Sequence, residues 1–365
     1  MVAVSYHKGN FPPTGLDLMP LLPLIGRAER ALGKYDGTLG GVLNPNVLIS
    51  PMMNREAEKS SRIEGTQATL REVLEFEAGE DREEPERTAD IQEIINYRFA
   101  LSEAIKALNT LPLSQRLIKE IHQQLMQGVR WRNSNPGNYR KTQNWIGPEG
   151  CTEAQARYIP SVAQDLPDNM YAWEKYMNTS QPNALVQLAL VHAEFEAIHP
   201  FLDGNGRIGR LIVPLFLYEK KLISSPSFYI SEQLEKDREE YYARLQAISE
   251  SEDWIGWCKF FLTTIADQAE HNIKKAEAIL LLHEQKRDSI VDVVHSQYAV
   301  RALDYFFIRP IFNSVQFRKD VEIPPPTANR IIKELRDAKI LTPIREGRGR
   351  RSGIYAFSEL LEIIQ

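Results

Sequence analysis

Apolar residues recur at intervals of three and four along almost the whole chain, and the recurrence fails over one long stretch, residues 131–160. That period belongs to amphipathic helices, so the fold is expected to be mainly α with one non-helical insertion. Helical patterning covers 17–33, 69–77, 89–108, 114–128, 161–177, 182–198, 207–221, 232–249 and 252–281. A further helix is expected to open at Ser50-Pro51, a favoured cap and first-turn pair, and to end at Gly65. The charged run 79–87 reads as a solvated connector. The exception, 131–160, is rich in Asn, Gly, Pro and aromatics and reads as an extended loop or hairpin.

The chain of 365 residues is longer than one ordinary domain requires. Three regions are expected: 1–88, 89–280 and 285–365. The net charge of −5 excludes a protein basic throughout, yet it is unevenly spread, with +3 over 281–365 and −8 over 1–280. In the last region Pro324–Pro326 and Thr327 open a helix whose Ala328, Ile331, Ile332, Leu335 and Ala338 share one face. A Gly/Arg-rich turn and the apolar segment Ile354–Phe357 follow, which is the order of a winged helix-turn-helix. Arg345, Arg348, Arg350 and Arg351 would lie on nucleic-acid phosphates if the helix entered a major groove. Glu334 and Asp337 on that helix weaken the case, and such domains also dock proteins or form dimers, so DNA and protein partners, including a second copy, both stay open.

Cys151 and Cys258 are the only cysteines, too few for a disulfide framework or a thiolate metal site. The first residues carry no basic-then-apolar signal, and no apolar run approaches the ~20 residues of a membrane span. A soluble, cytoplasmic protein is expected. His7, His122, His192, His271, His283 and His295 form no ligand cluster by spacing.

The chemistry concentrates in His199-Pro200-Phe201-Leu202-Asp203-Gly204-Asn205-Gly206-Arg207-Ile208-Gly209-Arg210, between two helical segments. Gly204 and Gly206 permit backbone conformations that converge N–H groups on an anion. The helix that follows adds its positive dipole end. Arg207 and Arg210, three apart, share a helical face and reach the same anion, here a polyphosphate. Asp203 offers a carboxylate through which Mg²⁺ would bridge to phosphate oxygens. His199 can take a proton near neutrality. A lone Gly-Asn-Gly would read as an ordinary helix connection, but eight specified positions coincide here, a chance on the order of 10⁻¹⁰ per starting position.

This segment resembles the Fic family motif without a departure, and the resemblance covers about residues 50–265 in motif order. It implies an all-helical core with a short β-hairpin flap, and transfer of AMP from ATP to a Ser, Thr or Tyr hydroxyl of a target protein and of the protein itself. By position, His199 would be the base and Asp203 would bind Mg²⁺. Gly204, Asn205 and Gly206 would cradle the phosphates, with Arg207 and Arg210 neutralising them. Relatives that phosphorylate carry Lys at the second glycine, and Gly206 speaks against that variant. Arg157, Tyr158 and Ile159 fall where the family has a flap that aligns the target, or else form a surface loop. Tyr241 aligns with an adenosine contact, or is a core aromatic.

Ser60, Glu64 and Gly65 fit the family's inhibitory helix, in which Glu64 would pair with Arg210 and withhold it from the γ-phosphate. From spacing alone, Met53, Ala57, Ser60 or Ser61, and Glu64 share a stripe that begins apolar and aims Glu64 inward, although such helices commonly end in solvated charge. The same Glu could position a water that removes AMP from a modified target. A different class of reading is a DNA-binding regulator whose core only senses ATP. The intact His199 argues against it, because a sensor needs no base.

Overall fold

The computed structural model describes residues 3–80, 84–128, 135–148, 150–349 and 351–364. Arg350 of the basic turn, and parts of the 79–87 run and the 131–160 segment, lie outside the described residues. Helices dominate, in the order α1 (Leu22–Gly40), α2 (Asn46–Ile63), α3 (Leu70–Glu77), α4 (Pro85–Ala107), α5 (Gln115–Leu125), α6 (Leu166–Asn178), α7 (Ala184–Ile198) and α8 (Asn205–Glu219). There follow α9 (Ser231–Lys236), α10 (Arg238–Ser251), α11 (Trp254–Val294), α12 (Ala299–Ile308), α13 (Ser314–Asp320), α14 (Pro325–Asp337) and α15 (Ser358–Ile364). The strands are β1 (Val4–Ser5), β2 (Tyr158–Ile159), β3 (Ile311–Asn313), β4 (Thr342–Arg345) and β5 (Ile354–Ala356). The mainly α class expected from the periodicity is the class observed.

Two compact units form. The first comprises Met1–Asp36, Lys59–Gly65 and Asn96–Glu270, and the second Gly37–Glu58, Thr66–Ile95 and His271–Gln365.

In the first unit α7 is the central element. Every residue from Leu185 to Ile198 is buried except Glu196, so the helix is covered on all sides, mostly by apolar contact, with Gln187, His192 and Glu194 as its buried polar side chains. Asn183 caps it, its side-chain oxygen accepting from the backbone N–H of Leu185 and Val186, both at 3.0 Å. The indoles of Trp173 and Trp257 donate to the carbonyls of Val191 (2.8 Å) and Ala189 (2.7 Å), which satisfies both indole N–H groups inside the core. α8 packs on α7 and is buried from Asn205 to Leu217. The two helices are joined by the motif segment.

In the second unit Thr69 begins α3 with a full capping box, accepting from Glu72 N–H while the Glu72 carboxylate accepts from Thr69 N–H. Its Arg87–Glu72 pair is bidentate, at 2.7 and 2.8 Å. The sheet has the order β3-β5-β4, antiparallel, with a register shift between Pro343 and Arg345. Phe306, Phe312, Phe317 and Phe357 fill its core with α12 and α13.

Several helix bounds differ from expectation: α1 starts at Leu22 and runs on to Gly40 instead of spanning 17–33, α4 starts at Pro85 inside the run expected to be a connector, and α11 continues to Val294 instead of ending near 281. α2 begins at Asn46 rather than at the Ser50-Pro51 pair, and Pro51 lies inside it. Val47 and Leu48 are fully buried, and their burial outweighs the single backbone bond that Pro51 removes. α8 begins at Asn205 rather than Arg207, because Gly204 serves as its cap in the left-handed region. The Arg157–Pro160 neighbourhood is largely irregular, with one antiparallel bridge between Ile146 and Tyr158. Its strand β2 also pairs in parallel with β1, Val4 opposite Tyr158 and Ser5 opposite Ile159.

Candidate active site

The motif segment is a tight connection whose backbone its own residues close. α7 ends at His199, which adopts a left-handed conformation (φ 52°) and donates its N–H to Phe195 O at 3.0 Å. Asn205 then locks the turn reciprocally. Its Oδ1 accepts from Phe201 N–H (2.8 Å) and its Nδ2 donates to Phe201 O (2.9 Å). Gly204 has φ 80°, and a Cβ there would also press on Met126 Sδ, so only glycine fits comfortably. Asp203 folds back, its Oδ1 accepting from Gly204 N–H at 2.6 Å and its Oδ2 lying 3.4 Å from Arg207 Nη2.

The two arginines are buried, Arg207 at 3% and Arg210 at 1% exposed. Burying a guanidinium requires anionic or carbonyl acceptors, and for Arg210 the end of α2 provides them. Arg210 Nη2 donates to Glu64 Oε1 at 2.6 Å and to Ser60 O at 2.9 Å, while Nε donates to Ser60 Oγ at 2.8 Å. The Glu64 side chain keeps a third of its surface exposed. Desolvation pushes its pKa up, but the charge and hydrogen bond of Arg210, with Arg207 and His199 behind it, outweigh this and hold it below the usual carboxylate range. Gly65 lets the chain leave α2 with φ 100°. A Cβ at Gly206 would meet Glu64 Oε1 and crowd Arg210 Nη1, so a side chain there would have to displace this ion pair.

His199 is held neutral, because burial lowers its pKa to about 4. Its Nδ1 lies 3.3 Å from the carbonyl of Glu196, which can only accept, so Nδ1 carries the proton and Nε2 presents a lone pair. Glu196, one turn earlier, is driven by burial up to about 8, with Arg210 opposing and Glu64 reinforcing the shift. Its carboxyl occupies the space left by the missing Cβ of Gly209.

The structure brings His199, Asp203, Gly204, Asn205, Gly206, Arg207 and Arg210 together with Ser60, Glu64 and Gly65. Tyr241 is buried and its hydroxyl donates to His192 Nε2 at 2.9 Å, while His192 Nδ1 faces Gly209 O at 3.1 Å. Tyr158 and Ile159 form β2, and Arg157 is exposed beside them with its N–H on Ile146 O at 2.8 Å.

Sequence reasoning missed four supports. His122 of α5 accepts from Gly137 N–H through Nδ1 (2.9 Å), which makes Nε2 the donor to Asp203 O, also at 2.9 Å. Its ring stacks on Phe201 at 3.8 Å. Arg140 grips the end of α7 from the non-helical segment. Tyr6 and His7 reach Glu194 of α7 at 2.6 and 2.8 Å, tying β1 to the central helix. A lone histidine on a helix, a cation in a loop and two residues near the start of the chain carry no periodic signal.

Among the described residues no cluster of three or more His, Cys, Asp or Glu side chains could hold a metal ion by itself. A Mg²⁺ that rests mainly on substrate phosphates needs only one or two protein carboxylates. Asp203, about a third exposed and beside the glycine nest, fits that requirement. Among the described residues no helix is long and apolar enough to cross a membrane.

The chain is similar to known proteins in sequence and in fold. Residues 22–106 match the family described as Fic/DOC family N-terminal, and residues 112–217 match the Fic/DOC family. Over 218 residues the chain is 28% identical to the protein adenylyltransferase Fic of Drosophila grimshawi, covering 58% of this chain and 40% of that protein. A probable protein adenylyltransferase of Aquifex aeolicus is 25% identical over 213 residues, covering 50% of this chain and 62% of that one. The chain thus spans less than two thirds of these curated relatives. Among solved structures, a Fic family protein from Desulfovibrio desulfuricans superposes with a TM-score of 0.60 at 20% identity, over 95% of this chain and 98% of that one. A Fic domain containing signaling protein from Bacteroides thetaiotaomicron gives 0.54 at 20% identity, over 68% and 97%. The glycine nest, its buried arginines and the two adjoining family matches lead to one conclusion: the chain belongs to the Fic/DOC family.

Proposed function

We propose that the protein transfers AMP from ATP to a Ser, Thr or Tyr hydroxyl of a target protein, and to itself, and that α2 inhibits it. The observation that carries this reading is the grip of Ser60 and Glu64 on Arg210, which places an internal anion where the motif would hold a phosphate. The backbone of Gly204–Gly206, the N-terminus of α8, and Arg207 and Arg210 bind the triphosphate and neutralise it. The acceptor oxygen attacks the α-phosphorus, the bond from that phosphorus to the oxygen leading to the β-phosphate breaks, and pyrophosphate leaves. The hydroxyl proton passes to His199 Nε2, which the Nδ1–H contact with Glu196 O leaves free to receive it. Mg²⁺, held by Asp203 and phosphate oxygens, would supply charge neutralisation. Tyr241 contributes to the wall on the adenosine side, and Arg157, Tyr158 and Ile159 align the target.

Residues 89–280 are assigned the transfer chemistry, 1–88 its restraint and 285–365 a winged helix-turn-helix appendage. For that appendage protein docking, including to a second copy, is favoured over DNA. Arg330 already pairs with Glu334 (2.9 Å), Arg336 with Glu346 (3.1 Å) and Arg345 with Glu80. Two free cysteines suit a reducing cytoplasm.

The test is incubation with labelled ATP, followed by identification of the modified residue by mass spectrometry. Glu64→Gly should raise incorporation and adding His199→Ala should abolish it. No gain from Glu64→Gly would remove the inhibition claim. Net loss of AMP from a pre-modified target would instead favour the removal reaction.

A further inference from the structure

Arg140 lies in the non-helical segment between α5 and α6, yet it is buried, at 3% exposed. Every acceptor of its guanidinium is a backbone carbonyl. Nε donates to His199 O at 2.9 Å, Nη1 to Thr142 O at 3.1 Å, and Nη2 to Ile198 O at 3.3 Å and to Ser161 O. Its own N–H donates to Pro200 O at 2.9 Å. The last carbonyls of a helix have no partner within it and carry the negative end of its dipole. Arg140 closes two of them at the end of α7 and a third just beyond β2. Burial lowers its pKa to about 10, which leaves it charged at neutrality.

The position of these bonds matters because His199 is not in a relaxed conformation. A φ of 52° is disfavoured for a residue with a Cβ, and its carbonyl is the one Arg140 Nε holds. The same fork reaches Ser161, two residues past Ile159. One rigid planar group therefore ties the backbone of the general base to the strand proposed to align the target.

We infer that Arg140 is a positioning residue for the transfer step: its guanidinium fixes the strained backbone of His199 against the chain just after β2, and so sets the distance between base and acceptor hydroxyl. This rests on the AMP-transfer reading. A lysine keeps the charge but cannot fork between the two segments.

The experiment uses the full chain carrying Glu64→Gly, with labelled ATP and the protein itself as acceptor. Arg140→Lys should lower the maximal labelling rate by about tenfold or more, as small misplacements of reacting groups do. The ATP concentration for half-maximal rate should stay within about threefold, since Arg207 and Arg210 are untouched. Its acid limb should stay in place, because the charge remains. Arg140→Gln should lower the rate further and move that limb to higher pH. The groups whose charges bear on His199 are Glu64, absent in this background, Asp203 and Arg140, and of these Arg140 lowers its pKa. An Arg140→Lys protein with an unchanged maximal rate, or with a loss in ATP half-saturation alone, overturns the inference. So does one that no longer melts cooperatively, which would make the role purely structural. If Glu64→Gly with Arg140 intact labels nothing, the AMP-transfer reading itself falls, and this inference with it.

Discussion

The protein contains two groups of arginines that look alike in sequence and behave differently in space. Arg207 and Arg210 on α8 are buried and face a glycine nest, and Arg210 is held by residues about 150 positions away. Arg330, Arg336 and Arg345 in the second unit are more exposed, and the first two answer carboxylates at most ten residues away. An exposed pair is screened by water and contributes little. A buried guanidinium must be matched by an acceptor, and whatever replaces that acceptor inherits the binding energy. Burial of the cation, more than its presence, separates an anion site from a solvated surface.

The comparison breaks first at His199. In the Glu64→Gly background, His199→Ala should cost about 10²–10⁴-fold in labelling rate, and a smaller loss would take the base away from this residue. Next is Glu64→Gly itself. If the inhibited state is favoured by ~3 kcal/mol, activity should rise about 100-fold, read as label per protein per minute. The gain should be the same at pH 6 and pH 8. The pKa of Glu64 is depressed, so its pairing is complete above the ordinary carboxylate range and fails only as pH falls through that lowered value.

A smaller effect is expected from Asn205→Ala. It removes both Asn205 bonds that close the turn and leaves Phe201 N–H unmatched in the interior, for about 1–3 kcal/mol, while Phe201 C=O keeps its bond from Asn144 Nδ2 at 3.3 Å. Melting temperature and ATP affinity should both fall, whereas an unchanged affinity would show that the turn is not the phosphate site. The smallest effect is Arg336→Ala, which breaks an exposed pair with Glu346 and should shift stability by less than about 1 kcal/mol. A large shift would erase the distinction between the two arginine groups.

Most helix positions and the motif turn were legible because each leaves a local signature, a period or a run of specified residues, whereas Arg210 as the partner of Glu64 came from the resemblance to the family, since the stripe on α2 names no partner. The supports were not. His122 and Arg140 act across 81 and 59 residues of sequence on backbone carbonyls, and a carbonyl has no letter in a sequence. The start of α2 was misplaced for a related reason, since the burial of Val47 and Leu48 that overrides Pro51 is a tertiary fact.

The strand β1 has a consequence of another kind. It covers an edge of β2 while Tyr6 and His7 are anchored on Glu194 of α7. An uncovered strand edge is a template for any passing chain. Deleting residues 1–7 would therefore do more than loosen a loop. It would leave a sticky border at β2, and the shortened protein should betray itself in the analytical ultracentrifuge, as self-association, before any assay of turnover is run.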